Sequence, residues 1–208
     1  EYELLDTGVF EGNRYFDVFV EYAKTDPDEI LIKITVTNRG PESAACHVLP
    51  TLLFRNTWSW GYEKGPMGDV PKKPQLRQIE GTKGTAVVEA KHPTADTYYL
   101  YAENRPKLLF TENETNAARF SNPSHNNLYV KDAFHRYLVS GEKGTINPAK
   151  EGTKMAALYS GDVAPGESRE MRLRLSNQTR PSAFKGFDGL FEKRQAEADE
   201  FYTAIQNP

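Results

Sequence analysis

Both tryptophans of the chain lie in one short segment, residues 55–61, which reads RNTWSWG. If a strand continues through this segment, Trp58 and Trp60 lie on one face of it, because side chains alternate along a strand. Flat aromatic rings suit the apolar face of a pyranose, and they equally suit a buried domain interface. Arg55, Trp58, Trp60 and Tyr62 are therefore candidates for substrate binding or for a domain interface.

The residues around this segment predict a long irregular loop. Residues 57–78 contain glycines and prolines that interrupt any regular pattern of apolar residues. Loops of this length are uncommon in compact domains unless they have a function or are mobile. We expect the loop to project from one edge of the fold and to carry the aromatic candidates.

His135 is a candidate of another kind. It lies in the segment DAFHRY, residues 132–137, where an imidazole, a carboxylate and a cation are close in sequence. Such groups can serve acid–base chemistry on a sugar, and sugar epimerases built on large β-sandwiches use His and Glu. The alternative is an ion-paired turn without a chemical role.

The carboxylates do not form an evident hydrolytic pair. Glycoside hydrolysis needs two carboxyl groups about 5–9.5 Å apart across a cleft. Asp17 and Glu21 share one face of a predicted strand, but four residues place them about 13 Å apart. The sequence therefore predicts a solvated strand face there and no carboxylate pair placed for glycoside hydrolysis.

Neither metal nor cofactor is predicted. The four histidines lack the spacing of metal ligands. Cys46 is the only cysteine, so neither an intrachain disulfide nor a CxxC site can form.

Charge and hydropathy restrict the partners. The net charge of −3 leaves no basic face for nucleic acid. No apolar run approaches the ~18 residues of a membrane span, so we expect no membrane partner. The lack of disulfides favours a cytoplasmic location.

Alternating apolar residues predict strands along most of the chain. Residues 15–22 and 30–37 alternate around a polar turn and predict an antiparallel pair. Residues 44–54 are almost continuously apolar, which is typical of a central strand buried on both faces. Further strand candidates are residues 85–90, 98–102, 107–111, 128–131, 137–140, 154–158 and 170–175.

The pattern changes near the C-terminus. Apolar residues recur at three- and four-residue steps over residues 190–205 and predict an amphipathic helix. The predicted fold class is all-β, an antiparallel β-sandwich followed by this helix. We expect a sandwich domain over residues 1–182, lacking its N-terminal strands, and a linker helix over residues 183–208.

Several segments together resemble one group of enzymes. They are YELLDTGVF (2–10), RYFDVFVEYAK (14–24), ITVTNRGP (34–41), LPTL (49–52) and RNTWSWG (55–61). The chain resembles the N-terminal β-sandwich region of large bacterial glucosidase-like proteins, which are similar to glycoside hydrolase family 63 and to the mannosylglycerate hydrolase-like group. The resemblance implies a supersandwich like that of galactose mutarotase, ahead of an (α/α)6 barrel that holds the catalytic acid and base.

This resemblance implies a non-catalytic domain that supports the catalytic barrel of the same parent chain and shapes its cleft. An oligosaccharide at the rim of the cleft is the second expected partner. The chain itself is expected to be inactive and its parent to be an O-glycosyl hydrolase. The alternatives are a free-standing carbohydrate-binding module and an epimerase-like enzyme centred on His135.

Overall fold

The computed structural model describes residues 1–59, 72–82, 84–120 and 129–206. Over these residues the chain forms an antiparallel β-sandwich with a C-terminal helix, which confirms the predicted fold class. The strands are β1 (Phe16–Asp26), β2 (Glu29–Asn38), β3 (Ala44–Val48), β4 (Thr51–Leu53), β5 (Gln75–Ile79), β6 (Thr85–His92), β7 (Ala95–Glu103), β8 (Lys107–Thr111), β9 (Glu151–Gly152), β10 (Lys154–Val163) and β11 (Ser168–Ser176). The α-helices are α1 (Ala133–Leu138) and α2 (Phe187–Gln206).

The strands form two sheets of unequal width. The first has seven strands in the order β1-β2-β11-β7-β6-β5-β9. The second is built around β10, which pairs with β4 and β8 at one end and with β3 at the other. The described part of the second sheet therefore depends on one strand for its pairing.

The core lies between the two sheets, where the inward side chains of both interdigitate. Phe110 and Met155 of the second sheet are fully buried and face Leu76, Val36 and Leu173 of the first. Burial of each such side chain contributes roughly 1.5–3 kcal/mol to the free energy of folding.

Three expectations about individual strands are wrong. Residues 44–54 are not one buried central strand, because the chain breaks at Leu49 and Pro50 into β3 and β4, whose side chains are half-buried or exposed. Pro50 has no backbone N–H to donate to a ladder. Residues 137–140 do not form a strand, since residues 133–138 form α1, and residues 129–131 form no regular strand either.

Helix α2 confirms the predicted helix but packs over only part of its length. Phe187 is fully buried against Ala23 and Leu31 on the outer face of β1 and β2. Further along, the ammonium of Lys33 lies 4.7 Å from the ring centroid of Phe191. The later apolar residues Phe201, Tyr202 and Ile205 are 54–61% exposed, so the rest of the helix extends past the sheet.

A buried ion network joins β2, β11 and the segment that follows β11. The Glu29 side chain is 3% exposed and lies 3.4 Å from Arg174 and 2.7 Å from Arg180. Its carboxylate also accepts a hydrogen bond from the Thr25 hydroxyl. Burial alone would raise the pKa of Glu29, but hydrogen bonds from Ser176, Thr25 and Arg180 and the positive charge of Arg174 together hold it below its ordinary value.

Replacing the Glu29 carboxylate should be strongly destabilising. In Glu29→Gln the Arg174 guanidinium, which is 9% exposed, stays buried without its counter-charge. Loss of one partner of a buried ion pair costs about 3–5 kcal/mol. Urea unfolding should show a loss of this size, whereas Glu21→Gln, which removes a surface pair with Lys33, should cost less than ~1 kcal/mol. Equal losses in the two variants would contradict the assignment.

The contribution of Glu29 should also depend on pH. Because its folded-state pKa is depressed, the stability that the carboxylate contributes is fully present above the ordinary pKa of 4.5 and is lost as the pH falls through the depressed value. The difference in unfolding free energy between the natural chain and Glu29→Gln should be constant above pH 4.5 and shrink in more acidic solution. A difference that stays constant down to acidic pH would count against this.

Candidate functional site

Trp58 and Lys73, which flank residues 60–71, meet at one carboxylate oxygen. The Trp58 indole Nε1 donates a hydrogen bond to Glu114 Oε1 over 2.7 Å. Lys73 Nζ lies 3.2 Å from the same oxygen. Glu114 therefore anchors Trp58 near the start of the predicted loop and Lys73 just before β5. Because β5 begins at Gln75, the irregular segment ends earlier than the predicted residue 78.

The backbone around Glu114 is itself held in place. Beyond β8, the Glu112 N–H donates to the Tyr129 carbonyl, and the Glu114 carbonyl accepts from the Lys131 N–H. Between them, the Asn113 side-chain amide donates to the Phe54 carbonyl over 2.8 Å. This extended backbone places Glu112 and Glu114 on the same side, because alternate side chains of an extended chain share a face.

Lys73 bridges this pair of carboxylates. Its Nζ lies 3.0 Å from Glu112 Oε1, and the side chains of Glu112 and Glu114 are only 16% and 21% exposed. Burial by itself would lower the pKa of Lys73, but the hydrogen bonds and charges of Glu112 and Glu114 together raise it above its ordinary value. The lysine therefore stays charged at neutral pH.

A polar cleft of about 360 Å³ opens beside this cluster. Its lining includes Lys73, Gln75, Glu112, Asn147 and Glu151. Carboxylates, amides and an ammonium can donate to and accept from neighbouring hydroxyl groups of one ligand. The lining of the cleft therefore suits a hydroxyl-rich ligand, and Trp58 is linked to the cleft through Glu114 and Lys73.

Of the four candidates in and next to the tryptophan segment, the structure describes Arg55 and Trp58. Trp58 belongs to the cluster, and Arg55 lies with an exposed side chain between β4 and Trp58. Trp60 and Tyr62 lie outside the described residues. Their roles in substrate binding or in a domain interface stay predictions.

His135 lies on α1 with an exposed side chain. Its two charged neighbours have other partners: Asp132 pairs with Arg119, and Arg136 pairs with Glu142. The geometry therefore does not gather an imidazole, a carboxylate and a cation around one substrate position.

The residues that sequence reasoning missed are Lys73, Glu112 and Glu114. A Glu-x-Glu directly after a predicted strand was the available signal, because it places two carboxylates on one side of an extended chain. Nothing in the sequence shows that Lys73 lies between them. Glu21 pairs with Lys33 on β2, and Asp17 pairs with Arg39 just after β2, in keeping with a surface role.

Metal-binding and membrane-spanning features are absent from the part of the chain that the structure describes. It contains no group of three His, Cys, Asp or Glu residues that could hold a metal ion. Among the same residues, no helix combines the length and apolar character needed to cross a bilayer.

Comparison with known proteins finds a relative that is much longer than this chain and a solved structure of low similarity. No family model matches the chain. The uncharacterized protein YMR196W of Saccharomyces cerevisiae is 33% identical over an alignment of 227 positions. The alignment covers 93% of this chain and 20% of the yeast protein. The chain thus spans about one fifth of the length of this curated relative.

Among solved structures, the polysaccharide lyase BACCELL_00875 is similar at a TM-score of 0.45 and 11% identity, over 79% of this chain and 20% of that one. A likeness of this size says nothing about the activity of the chain.

Removing the Glu114 carboxylate should release Trp58. In a Trp60→Phe background, Trp58 is the only fluorescent indole. Adding Glu114→Ala should shift its emission to the red and increase acrylamide quenching, because the indole loses its acceptor and Lys73 loses one of its two anions. Glu112→Gln, which leaves the Trp58 hydrogen bond in place, is the matched control. Unchanged emission in the Glu114 variant would show that the anchor is not formed in solution.

Proposed function

We propose that this chain is the non-catalytic β-sandwich domain of a larger, glucosidase-like glycoside hydrolase. In this proposal it supports a catalytic (α/α)6 barrel in the same polypeptide and shapes one rim of the cleft with the segment between Trp58 and β5. The observation that carries the proposal is the anchoring of Trp58 and Lys73 on Glu114 beside a polar cleft.

The chemistry of this cluster suits contact with a sugar. A hydrogen-bonded indole is fixed in orientation, and a fixed aromatic ring can stack on the apolar face of a pyranose. The side chains of Glu112, Asn147 and Glu151, which line the cleft beside Lys73, are of the types that bind sugar hydroxyls. The oligosaccharide is therefore the proposed ligand at the rim.

The same geometry supports a binding role over a catalytic one. A glycosidase requires one carboxyl group as proton donor and a second as base or nucleophile. Here Glu112 and Glu114 share one ammonium, and Glu114 also accepts from an indole. Two carboxylates engaged in this way serve as fixed acceptors, so the proposal assigns catalysis to another part of the parent polypeptide.

The other support comes from sequence. The resemblance to glucosidase-like proteins covers segments on both sides of β2, and the yeast relative is about five times as long as the part that matches. Both agree with a domain of a long, multidomain protein. The single cysteine agrees with the proposed cytoplasmic location.

The test uses the full polypeptide that carries this chain. Trp58→Ala should lower kcat/KM for oligosaccharides by roughly tenfold, as loss of one aromatic contact of about 1–1.5 kcal/mol implies. Turnover of a small nitrophenyl glycoside, which does not reach the rim, should stay unchanged. Trp58→Phe should retain part of the oligosaccharide activity, and Phe19→Ala, at the opposite edge of the seven-stranded sheet, should retain all of it.

The isolated chain separates this proposal from its main rival. A purified chain of residues 1–208 should not hydrolyse nitrophenyl glucosides and should not measurably bind glucose oligosaccharides by calorimetry, since the barrel side of the cleft is missing. Binding that Trp58→Ala abolishes would instead establish a self-sufficient carbohydrate-binding module.

A further inference from the structure

A cavity of about 220 Å³ lies between the two sheets, with walls from β2 and β11 on one side and from β3 and β10 on the other. The walls are mostly apolar: the buried side chains of Val36, Val163 and Met171 line the cavity together with the half-buried Val48. The only cysteine of the chain, Cys46, lines it as well. An apolar cavity of about 150 Å³ can hold a benzene molecule, so this one has room for one small ligand.

A cationic side chain points into this cavity from the inner face of the seven-stranded sheet. Arg169 lies opposite Val36 in the β11–β2 register, and directly opposite residues share a face. Val36 is buried in the core between the sheets, as are Met171 and Leu173, the next inward residues of β11. The guanidinium therefore occupies a place in an otherwise apolar row, where a charge needs a partner or water.

A glycine on the facing sheet makes room for this guanidinium. Gly161 lies opposite Cys46 in the β10–β3 register, and both line the cavity. A Cβ atom at Gly161 would lie 2.4 Å from Nη1 of Arg169, which is closer than real Cβ atoms come to a neighbour. A larger residue at position 161 would therefore displace Arg169. The missing side chain both leaves the cavity open and allows the guanidinium to reach its wall.

The charge of Arg169 has little compensation in the part of the chain that the structure describes. The only carboxylate that pairs with it there is that of Glu167, at 4.0 Å, and the other oxygen of Glu167 accepts a hydrogen bond from the Ala164 N–H. Glu170 also lines the cavity, but its side chain belongs to the outer face of β11, where it accepts a hydrogen bond from Arg172. The Arg169 guanidinium thus keeps donors for an anion.

We propose that this cavity binds a small carboxylate with an apolar body, of the size of benzoate. The apolar body fills the space between Val48 and Met171, and the carboxylate accepts hydrogen bonds from Arg169. A guanidinium presents two parallel N–H donors to a carboxylate, and such charge-assisted pairs are stronger than neutral ones. A neutral ligand of the same shape buries the same apolar area but leaves the positive charge without a partner, so the site distinguishes the two.

Cys46 reports on occupancy of the same cavity. Burial raises the pKa of its thiol above the ordinary value, although the positive charge of Arg169 acts in the opposite direction. A carboxylate bound to Arg169 offsets that charge and covers the thiol, so the reactive thiolate becomes both rarer and less accessible. Because the chain has no other cysteine, every thiol that is labelled is this one.

The proposed carboxylate site is independent of the sugar-binding proposal. Its walls come from β2, β3, β10 and β11, whereas Lys73 lies just before β5, near the other end of the seven-stranded sheet. The guanidinium, the glycine that makes room for it and the apolar walls are all supplied by paired strands of the chain itself. Either proposal can fail without the other.

The first measurement is a titration of the purified chain with benzoate, benzamide or inorganic phosphate, followed by ligand-detected NMR. Benzoate should bind at millimolar concentration. Neutral benzamide, and phosphate, which lacks an apolar body, should bind more weakly by roughly tenfold or more, as loss of a hydrogen bond to a charged group implies. Equal binding of benzoate and either of the other two, or no binding of benzoate, would overturn the proposal. This contrast requires no variant.

A substitution then tests the role of the guanidinium. Arg169→Gln should weaken benzoate binding by roughly tenfold or more and leave benzamide binding unchanged. Arg77→Gln, which removes a guanidinium of similar exposure outside the cavity, should bind benzoate as the natural chain does. Equal losses in the two variants would show that benzoate responds to the net charge of the chain and not to this site.

Labelling of Cys46 tests where benzoate binds. At about ten times its dissociation constant, benzoate leaves only about a tenth of the chains empty, so the reaction of Cys46 with iodoacetamide should slow roughly tenfold. Benzamide at the same concentration should slow it less. A thiol that does not react at all, or that reacts equally fast with and without benzoate, would place the ligand elsewhere.

The longer polypeptide that carries this chain provides the last test. The difference in benzoate binding between its natural form and its Arg169→Gln variant should be the same as in the isolated chain. Loss of that difference would show that the parent polypeptide itself fills the cavity, and it would overturn the proposal of a free carboxylate as the ligand.

Discussion

The seven-stranded sheet is wider than the four-stranded sheet packed on it, and this mismatch governs which surfaces of the protein are buried. The second sheet is assembled around β10 and covers the middle of the first, where Phe110 and Met155 complete the core. Of β1 only Phe16 packs against this core, and the inward residues Val18, Val20 and Tyr22 stay exposed although they are as apolar as those of β2. On the outer face, the first turns of α2 cover Ala23 and Leu31. The two faces of β1 therefore meet different surroundings.

At the other end of the wide sheet the constraint is electrostatic. One oxygen of Glu114 receives both the Trp58 indole and the Lys73 ammonium, and the backbone that carries Glu114 is hydrogen-bonded to two neighbouring segments. Such an anchor holds an aromatic ring beside polar side chains without a regular strand at that point. Its carboxylates act as acceptors in a preformed arrangement, which suits recognition of a ligand better than proton transfer.

Burial also separates the ion pairs that matter for stability from those that do not. Glu29 and Arg174 are removed from water, so each depends on the other for compensation of its charge. Pairs such as Asp17 with Arg39 lie on the strand surface, where water screens them and their contribution is small. Residues of the same types thus have different energetic roles because of the layers that cover them.

The sequence by itself determined the all-β class, the antiparallel pairing of β1 with β2 and the C-terminal helix, because these follow from local periodicity. It also singled out the segment that contains Trp58. Only the tertiary structure decided that Glu114 and Lys73, far apart in the chain, meet at that tryptophan, and that residues 133–138 form a helix. Only the structure, likewise, left Val20 exposed. Alternation shows that a strand has an apolar side, but whether that side is covered depends on how far a second sheet extends over it.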